Sequence, residues 1–208
     1  MAPSVTYKEA PKGHPAGYNV DLCADTSGAN EVNFVSYGGD SILHVWSLAL
    51  DAMEPVVEQS FDGKKDSGMV QGPLTWTGEH IYVVDNKKKL DPSAENTVWR
   101  FEIESLASPR RQDDRYPSPI IAINTSEDGN YLVCSSKELL RNLHLSVPGR
   151  SYDSENYPKD VVRATAFDPL SQLYAVLTSA GKVMFYPVQK TSNPSESGCV
   201  QTVNVSEF

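Results

Sequence analysis

One pattern recurs four times along the chain and restricts its fold more than any other feature: a β-rich run, a small polar turn, and a second β-rich run ending on aromatic or aliphatic residues. In the clearest copy, Val32 to Tyr37 leads into Gly38-Gly39-Asp40-Ser41 and returns as Ile42 to Leu48. This turn predicts a tight hairpin, because glycine tolerates the positive φ that such turns require. The second copy pairs His80 to Asp85 with Asn96 to Ile103 across a charged loop from Asn86 to Glu95 that contains Pro92. The third pairs Tyr131 to Ser135 with Leu140 to Val147. The fourth pairs Leu173 to Leu177 with Lys182 to Val188 through Thr178-Ser179-Ala180-Gly181.

Each hairpin is preceded by a further strand and turn. These are Tyr18 to Cys23 before Asp25-Thr26-Ser27-Gly28, Gly72 to Trp76 before Thr77-Gly78, Ile120 to Ile123 before Glu127-Asp128-Gly129, and Val161 to Phe167 before Asp168-Pro169. Each unit therefore has at least three strands. The turn positions Gly28, Gly78, Gly129 and Ser171 recur about every 40 to 50 residues, the length of one blade of a β-propeller of the WD or kelch kind. The apolar residues alternate, and prolines interrupt any long helical window. Ser135 to Leu145 carries helix formers at Lys137 to Arg141, yet it is read as a hairpin because the same slot is a hairpin in the other three units. The polar stretches Asp62 to Ser67, Ser108 to Pro119, Val147 to Lys159 and Thr191 to Gly198 read as connections, with unit boundaries near 50, 107 and 150. Trp46 and Trp99 close the second strand of their hairpins among apolar neighbours and are expected in the core or between blades.

A chain of 208 residues with 39% hydrophobic content can bury a core. Its net charge of −9 and its single run of three basic residues, Lys87 to Lys89, argue against direct nucleic-acid binding. No apolar run reaches the length of a membrane span, so no membrane partner is expected. The N-terminal stretch around Pro3, Tyr7 and Lys8 lacks the apolar core of a secretory signal. Cys23, Cys134 and Cys199, three in number and widely spaced, fit reduced intracellular thiols better than a disulfide framework.

From Asp40 to Trp46 the sequence resembles the WD-repeat family, with an Asp in the turn and an apolar strand closing on Val45-Trp46 where the family has Trp-Asp. His14, within Gly13-His14, stands before the first strand as the family's Gly-His does, and Phe167-Asp168-Pro169 is a phrase common at the first turn of such blades. The resemblance covers roughly residues 13 to 190, with only the first unit specific. It implies an all-β propeller of about four blades that forms part of a larger, seven-bladed ring. The blades would be 13–50, 68–107, 116–148 and 159–190, preceded by an N-terminal strand or tail, 1–12, and followed by a C-terminal tail or closing strand, 191–208. His14, Asp40, Val45, Trp46 and Asp168 would form the structural signature, with His and Asp hydrogen bonds joining adjacent turns.

A finer resemblance lies in Gly13-His14-Pro15-Ala16-Gly17, Asp25-Thr26-Ser27-Gly28 and Tyr37-Gly38-Gly39-Asp40-Ser41. These segments look like the N-terminal propeller of the replisome-scaffold family that includes the acidic nucleoplasmic DNA-binding protein and the yeast chromosome transmission fidelity proteins. That resemblance implies a nuclear adaptor among replication-fork proteins, joining helicase to priming polymerase. The family trimerises through a second, later propeller, which this sequence does not reach, so it is expected not to form that trimer. Four units leave two sheet edges and two blade faces without neighbours. The chain is therefore expected to self-associate or to need a partner, the alternative being a small ring closed by pairing Ser4 to Lys8 with Val200 to Val205.

No catalytic constellation emerges. His14 and His44 fall in the first unit, His80 in the second and His144 in the third, without spacing that could present several ligands to one metal. Cys134 reads as a small buried hydrophobe. Asp113-Asp114 lies among Arg110, Arg111 and Arg115 and reads as a solvated charged loop. Gly38-Gly39 lacks the lysine and helix of a phosphate loop. The sequence thus predicts no catalytic, metal or cofactor site, and a protein-interaction scaffold that works through blade loops or exposed edges. The alternatives are a propeller hydrolase, which would need acids converging from several blades, or an adaptor of another nuclear or cytoplasmic complex.

Overall fold

The computed structural model describes residues 20–25, 31–49, 51, 55–63, 65, 69, 71–77, 80–87, 95–147, 151–154, 159–188 and 198–205, with side chains for all but 20–25, 114 and 115. The described residues form four sheets, each of four antiparallel strands in chain order. The first sheet holds β1 (Val20–Asp25), β2 (Glu31–Gly38), β3 (Ile42–Ala49) and β4 (Val56–Asp62). The second holds β5 (Gln71–Thr77), β6 (His80–Asp85), β7 (Asn96–Glu102) and β8 (Ser105–Tyr116). The third comprises β9 (Ile120–Thr125), β10 (Tyr131–Ser136), β11 (Leu140–His144) and β12 (Ser151–Asp153). The fourth comprises β13 (Val162–Phe167), β14 (Leu173–Thr178), β15 (Lys182–Pro187) and β16 (Gln201–Asn204).

The sheets pack side by side as blades. β1 lies against β5, β5 against β9 and β9 against β13, so the first strand of each blade lines the inside of an arc and the later strands fan outward. Among the described residues no comparable packing joins the first blade to the fourth. All four hairpins expected from sequence form, including Tyr131–Ser136 with Leu140–His144, where Val133 pairs with Asn142.

The core explains this arrangement. It is three clusters, each between two consecutive blades. Val35, Tyr37, Leu43 and Val45 meet Leu74, Ile81, Val83 and Phe101 at the first seam. Tyr82, Val84, Val98 and Tyr116 meet Ile120, Ile123, Leu132 and Cys134 at the second, and Tyr131, Val133 and Leu140 meet Tyr174, Val176 and Tyr186 at the third. Successive residues of a strand point to opposite faces. The inner blades therefore need second strands apolar throughout, and Ile81-Tyr82-Val83-Val84 and Tyr131-Leu132-Val133-Cys134 are buried along their whole length. In β14 burial alternates instead, with Tyr174, Val176 and Thr178 buried while Leu173 and Ala175 are half-buried and Leu177 is exposed.

Four turns share one geometry: a hydrogen bond from the fourth residue's N–H to the first residue's carbonyl, with the fourth residue at positive φ. They are Gly38–Ser41, Ser126–Gly129, Asp168–Ser171 and Thr178–Gly181, with φ of 65°, 69°, 52° and 71° at their last residues. This is the turn that adds a left-handed residue to a hairpin. In the first, the left-handed residue is Ser41, not either of the glycines to which the sequence assigned that role. Gly129 and Ser171 stand where the repeat spacing placed them, whereas Gly28 and Gly78 lie outside the described residues.

Several expectations change. The blades run past 50, 107, 148 and 190, because each takes in a fourth strand beyond the third, which ends at Ala49, Glu102, His144 or Pro187. Most of β8 and all of β12 fall in stretches read as connections, and β4 follows the expected boundary at 50. These outer strands carry one solvated edge, so their sequences are polar; Ser108-Pro109-Arg110-Arg111 shows the proline and charge characteristic of sheet edges. The segment Val200 to Val205, expected as a tail or closing strand, contains a strand of the fourth blade. Its strand β16 pairs with β15, from Lys182 with Asn204 to Phe185 with Gln201, and completes its own blade. Ser4 to Lys8 falls outside the described residues.

Trp46 is buried, stacks on Phe34 at 5.6 Å between ring centroids, and donates Nε1–H to Ser36 Oγ at 2.7 Å. Trp99 is half-buried against the first seam, under the Arg111 guanidinium. Trp46→Ala should therefore cost about 3 to 5 kcal/mol, read from urea unfolding. A midpoint that hardly moves would place Trp46 on a solvated face.

Candidate functional site

The signature residues expected from sequence do not gather into one site. His14 lies outside the described residues. Asp40 sits in the β2–β3 turn, where Oδ1 accepts the Ile42 N–H at 3.2 Å. Val45 points into the first seam, and Trp46 onto the opposite face of the same blade, beside His44 and Phe34. Asp168 is in the fourth blade. Its carboxylate accepts the N–H groups of Leu170, Gln172 and Leu173 at 3.2, 2.7 and 2.6 Å, organising the β13–β14 turn. Partial burial pushes the Asp168 carboxyl up, but the three backbone donors more than offset this and hold it below its ordinary range. Asp128 plays the same part in the third blade, where Ser126 Oγ and Asn130 donate to it.

The seams are fastened by side chains that imitate a strand. Gln59 on β4 donates Nε2–H to the Ile103 carbonyl at 2.7 Å and accepts the Leu106 N–H, reaching the second blade. Gln71 donates to the Tyr37 carbonyl in return. At the second seam the buried Asn86 amide donates to the Ile120 carbonyl and accepts the Ile120 N–H, both at 2.9 Å. Gly72 leaves room for it: a Cβ there would lie 2.8 Å from Asn86 Nδ2 and 2.5 Å from Val84 Cγ1. At the third seam Ser154 Oγ lies 2.7 Å from Tyr174 Oη.

Acids from two blades do converge at one place, and a cation holds them there. Arg141 on β11 donates Nε–H and Nη2–H to the two Asp153 oxygens at 2.6 and 3.1 Å, and Nη1–H to Asp113 Oδ2 of the second blade at 3.2 Å. Its guanidinium lies 5.0 Å over the buried Tyr116 ring. Asp113, expected in a solvated loop, is instead ion-paired on β8. Sequence spacing could not foresee this, because the partner is 28 residues away on another blade. Burial works against the charged guanidinium, but Asp153 and Asp113 outweigh it, and the Arg141 pKa is raised. A carboxylate pair bound to a guanidinium this way is a latch rather than acid–base machinery.

Among the described residues no group of three His, Cys, Asp or Glu side chains could hold a metal. His44 lies 2.7 Å from Ser60 Oγ, His80 pairs with Glu102 at 3.0 Å, and His144 lies 4.9 Å from the Tyr131 ring, each within its own blade. Cys134 is buried, and burial pushes its thiol up to about 12, away from nucleophilic chemistry. No described helix is long and apolar enough to cross a membrane.

What remains conspicuous is the outward face of the fourth blade. Pairing places Ala164 opposite Leu177, Ala166 opposite Ala175, Leu177 opposite Val183, Ala175 opposite Phe185 and Val183 opposite Val203, all on the side away from the third seam. Leu177 is 37% exposed, Ala164 and Ala166 are exposed, and Ala175, Val183, Phe185 and Val203 are half-buried. This is an apolar sheet face like those that pack at the three seams, without a described blade against it.

No family model matches the chain, and no curated protein matches it in sequence. Solved structures match in fold. One chain of the crystal structure of a nidogen/laminin complex superposes with a TM-score of 0.62 at 12% identity over 89% of this chain. One from the mitotic checkpoint complex does so with a TM-score of 0.54 at 14% identity over 85%. This chain spans only 63% and 50% of those two. At such identity the likeness concerns the fold alone, and the fold is a β-propeller.

Two outcomes follow. Arg141→Ala should destabilise the chain by roughly 1 to 3 kcal/mol, because it removes the charge-assisted hydrogen bonds to Asp153 and Asp113 and leaves the half-buried Asp113 without its cation; calorimetry checks this. Asp168→Asn should cost roughly 1 kcal/mol near neutral pH, comparable to losing a capping side chain. The folded Asp168 carboxyl titrates below its unfolded value, so its contribution is present above the unfolded pKa of about 4 and disappears as pH falls through the lower folded value. The difference between wild type and Asp168→Asn should therefore vanish in acid, and a difference that persists there would mean the charge is irrelevant.

Proposed function

We propose that this chain is a non-catalytic protein-interaction scaffold, an open arc of propeller blades that binds other proteins through its terminal blade and its loops. The observation that carries this reading is the apolar outward face of the fourth blade, at Leu177, Val183 and Phe185. Faces of this kind are covered by a further blade at every seam within the arc, and a contiguous apolar face left without such cover is a surface on which another protein can pack. The two structural neighbours come from complexes of several proteins, which supports the same reading.

The finer proposal is that the arc belongs to a larger, seven-bladed ring and acts in the nucleus as a replisome adaptor among replication-fork proteins. It rests on the resemblance of the Tyr37-to-Ser41 hairpin and the segments before it to the N-terminal propeller of that scaffold family. Recovery of the tagged chain from nuclear extract should bring down the replicative helicase or priming polymerase. Recovery of neither would remove the replisome reading while leaving the scaffold intact.

The scaffold reading has its own test. Light scattering on the purified 22.9 kDa chain should show self-association or dependence on a partner, and Leu177→Asp with Val183→Asp should abolish it. A stable monomer with a sharp unfolding transition, indifferent to both changes, would mean that this face is not a docking surface.

A further inference from the structure

We propose that Ser108 is a phosphorylation site for a proline-directed kinase, set on the rim between the first and second blades. The chain has two Ser-Pro pairs, Ser108-Pro109 and Ser118-Pro119. A kinase of this class binds its substrate extended, takes a proline directly after the serine, where no N–H needs a partner, and favours a basic side chain three positions on. Ser108 is followed by Pro109, Arg110 and Arg111, so the basic position is filled. Ser118 is followed by Pro119, Ile120 and Ile121, so there it is not.

Structure separates the two pairs in the same direction. β8 is the outermost strand of its blade, with no described strand beyond it. Its pairing with β7 jumps from Glu102–Ser105 to Arg100–Arg110, so Leu106 to Pro109 leave the ladder as a long bulge. Leu106 anchors the bulge, buried and bonded to Gln59, while Ala107, Ser108, Arg110 and Arg111 are exposed. Ser108 and Pro109 thus lie outside the ladder, while Arg110 and Arg111 pair with β7 on one edge and have no described strand on the other. Ser118, in contrast, has a buried hydroxyl.

In the reaction the Ser108 hydroxyl oxygen bonds to the γ-phosphorus of ATP, the bond to the β–γ bridging oxygen breaks, ADP leaves, and the hydroxyl proton passes to the kinase's base. The product adds about two negative charges beside Arg110 and Arg111. It does so at the edge of the cleft of about 660 Å³ lined by Gln59, Ser60, Phe61, Glu104, Ser105, Leu106 and Ala107. The first seam would thus gain a reversible charge without disturbance of its apolar core.

The test incubates the folded full chain with a cyclin-dependent kinase and ATP, with mapping by mass spectrometry. Wild type and Ser118→Ala should each take one phosphate on Ser108, and Ser108→Ala should take none at either Ser-Pro pair. Ser108 is exposed and no core contact depends on it, so unchanged unfolding of Ser108→Ala verifies that its fold persists. Failure of the folded chain to accept phosphate while the kinase modifies a reference substrate would overturn the proposal, as would modification of Ser118 in preference.

Discussion

Face-to-face packing of consecutive sheets is the interaction on which the rest of this chain depends. A four-stranded antiparallel sheet has two faces, and a blade inside an arc buries both. Ile81 and Val83 serve one seam while Tyr82 and Val84, from the same strand, serve the next. Full burial of a side chain of this size contributes about 1.5 to 3 kcal/mol, so each seam collects several such contributions from strands that in isolation would be marginal. No blade is a unit of stability by itself, which makes the structure quasi-one-dimensional: each blade is held by its neighbours, and the two at the ends are half-supported.

Several backbone groups at the seams are satisfied by side chains rather than by strand pairing. Gln59 and Asn86 each present an amide that both donates and accepts, as a peptide unit would. Buried backbone groups left without such partners would cost more than the bonds themselves contribute. Arg141 does the same work with charge, binding Asp113 from one blade and Asp153 from its own. These ties give direction to apolar contacts that alone would tolerate sliding, and those of Gln59, Asp113 and Asp153 hold the outer strands.

The function proposed here follows from the same geometry. A blade that buries two faces has no surface to offer beyond its loops and outer edge, whereas the fourth blade keeps one face on which another sheet or protein can lie. Its alternating strand Leu173 to Thr178, beside the unbroken apolar strands of the inner blades, records that difference in sequence. The outer strands, polar and edge-exposed, are where charge can be changed without cost to the seams.

Much of this was legible in the sequence because its causes are local. Alternation at period two, turn residues at fixed offsets, and the recurrence of Gly129 and Ser171 announce hairpins and blades, since the φ values and the pleat belong to a few adjacent residues. The outer strands escaped notice because half their environment is water, so Ser105 to Tyr116 carries the composition of a loop. The candidate site was barely legible: the signature at Asp40, Val45 and Trp46 marks one hairpin, and neither its partner nor its role follows from spacing. Which blade lies against which, that Arg141 draws Asp113 across a seam, and that Leu177 and Phe185 face away from the third seam with no described blade against them were decided only by the tertiary structure, because these are relations between residues far apart in the chain that no local periodicity encodes.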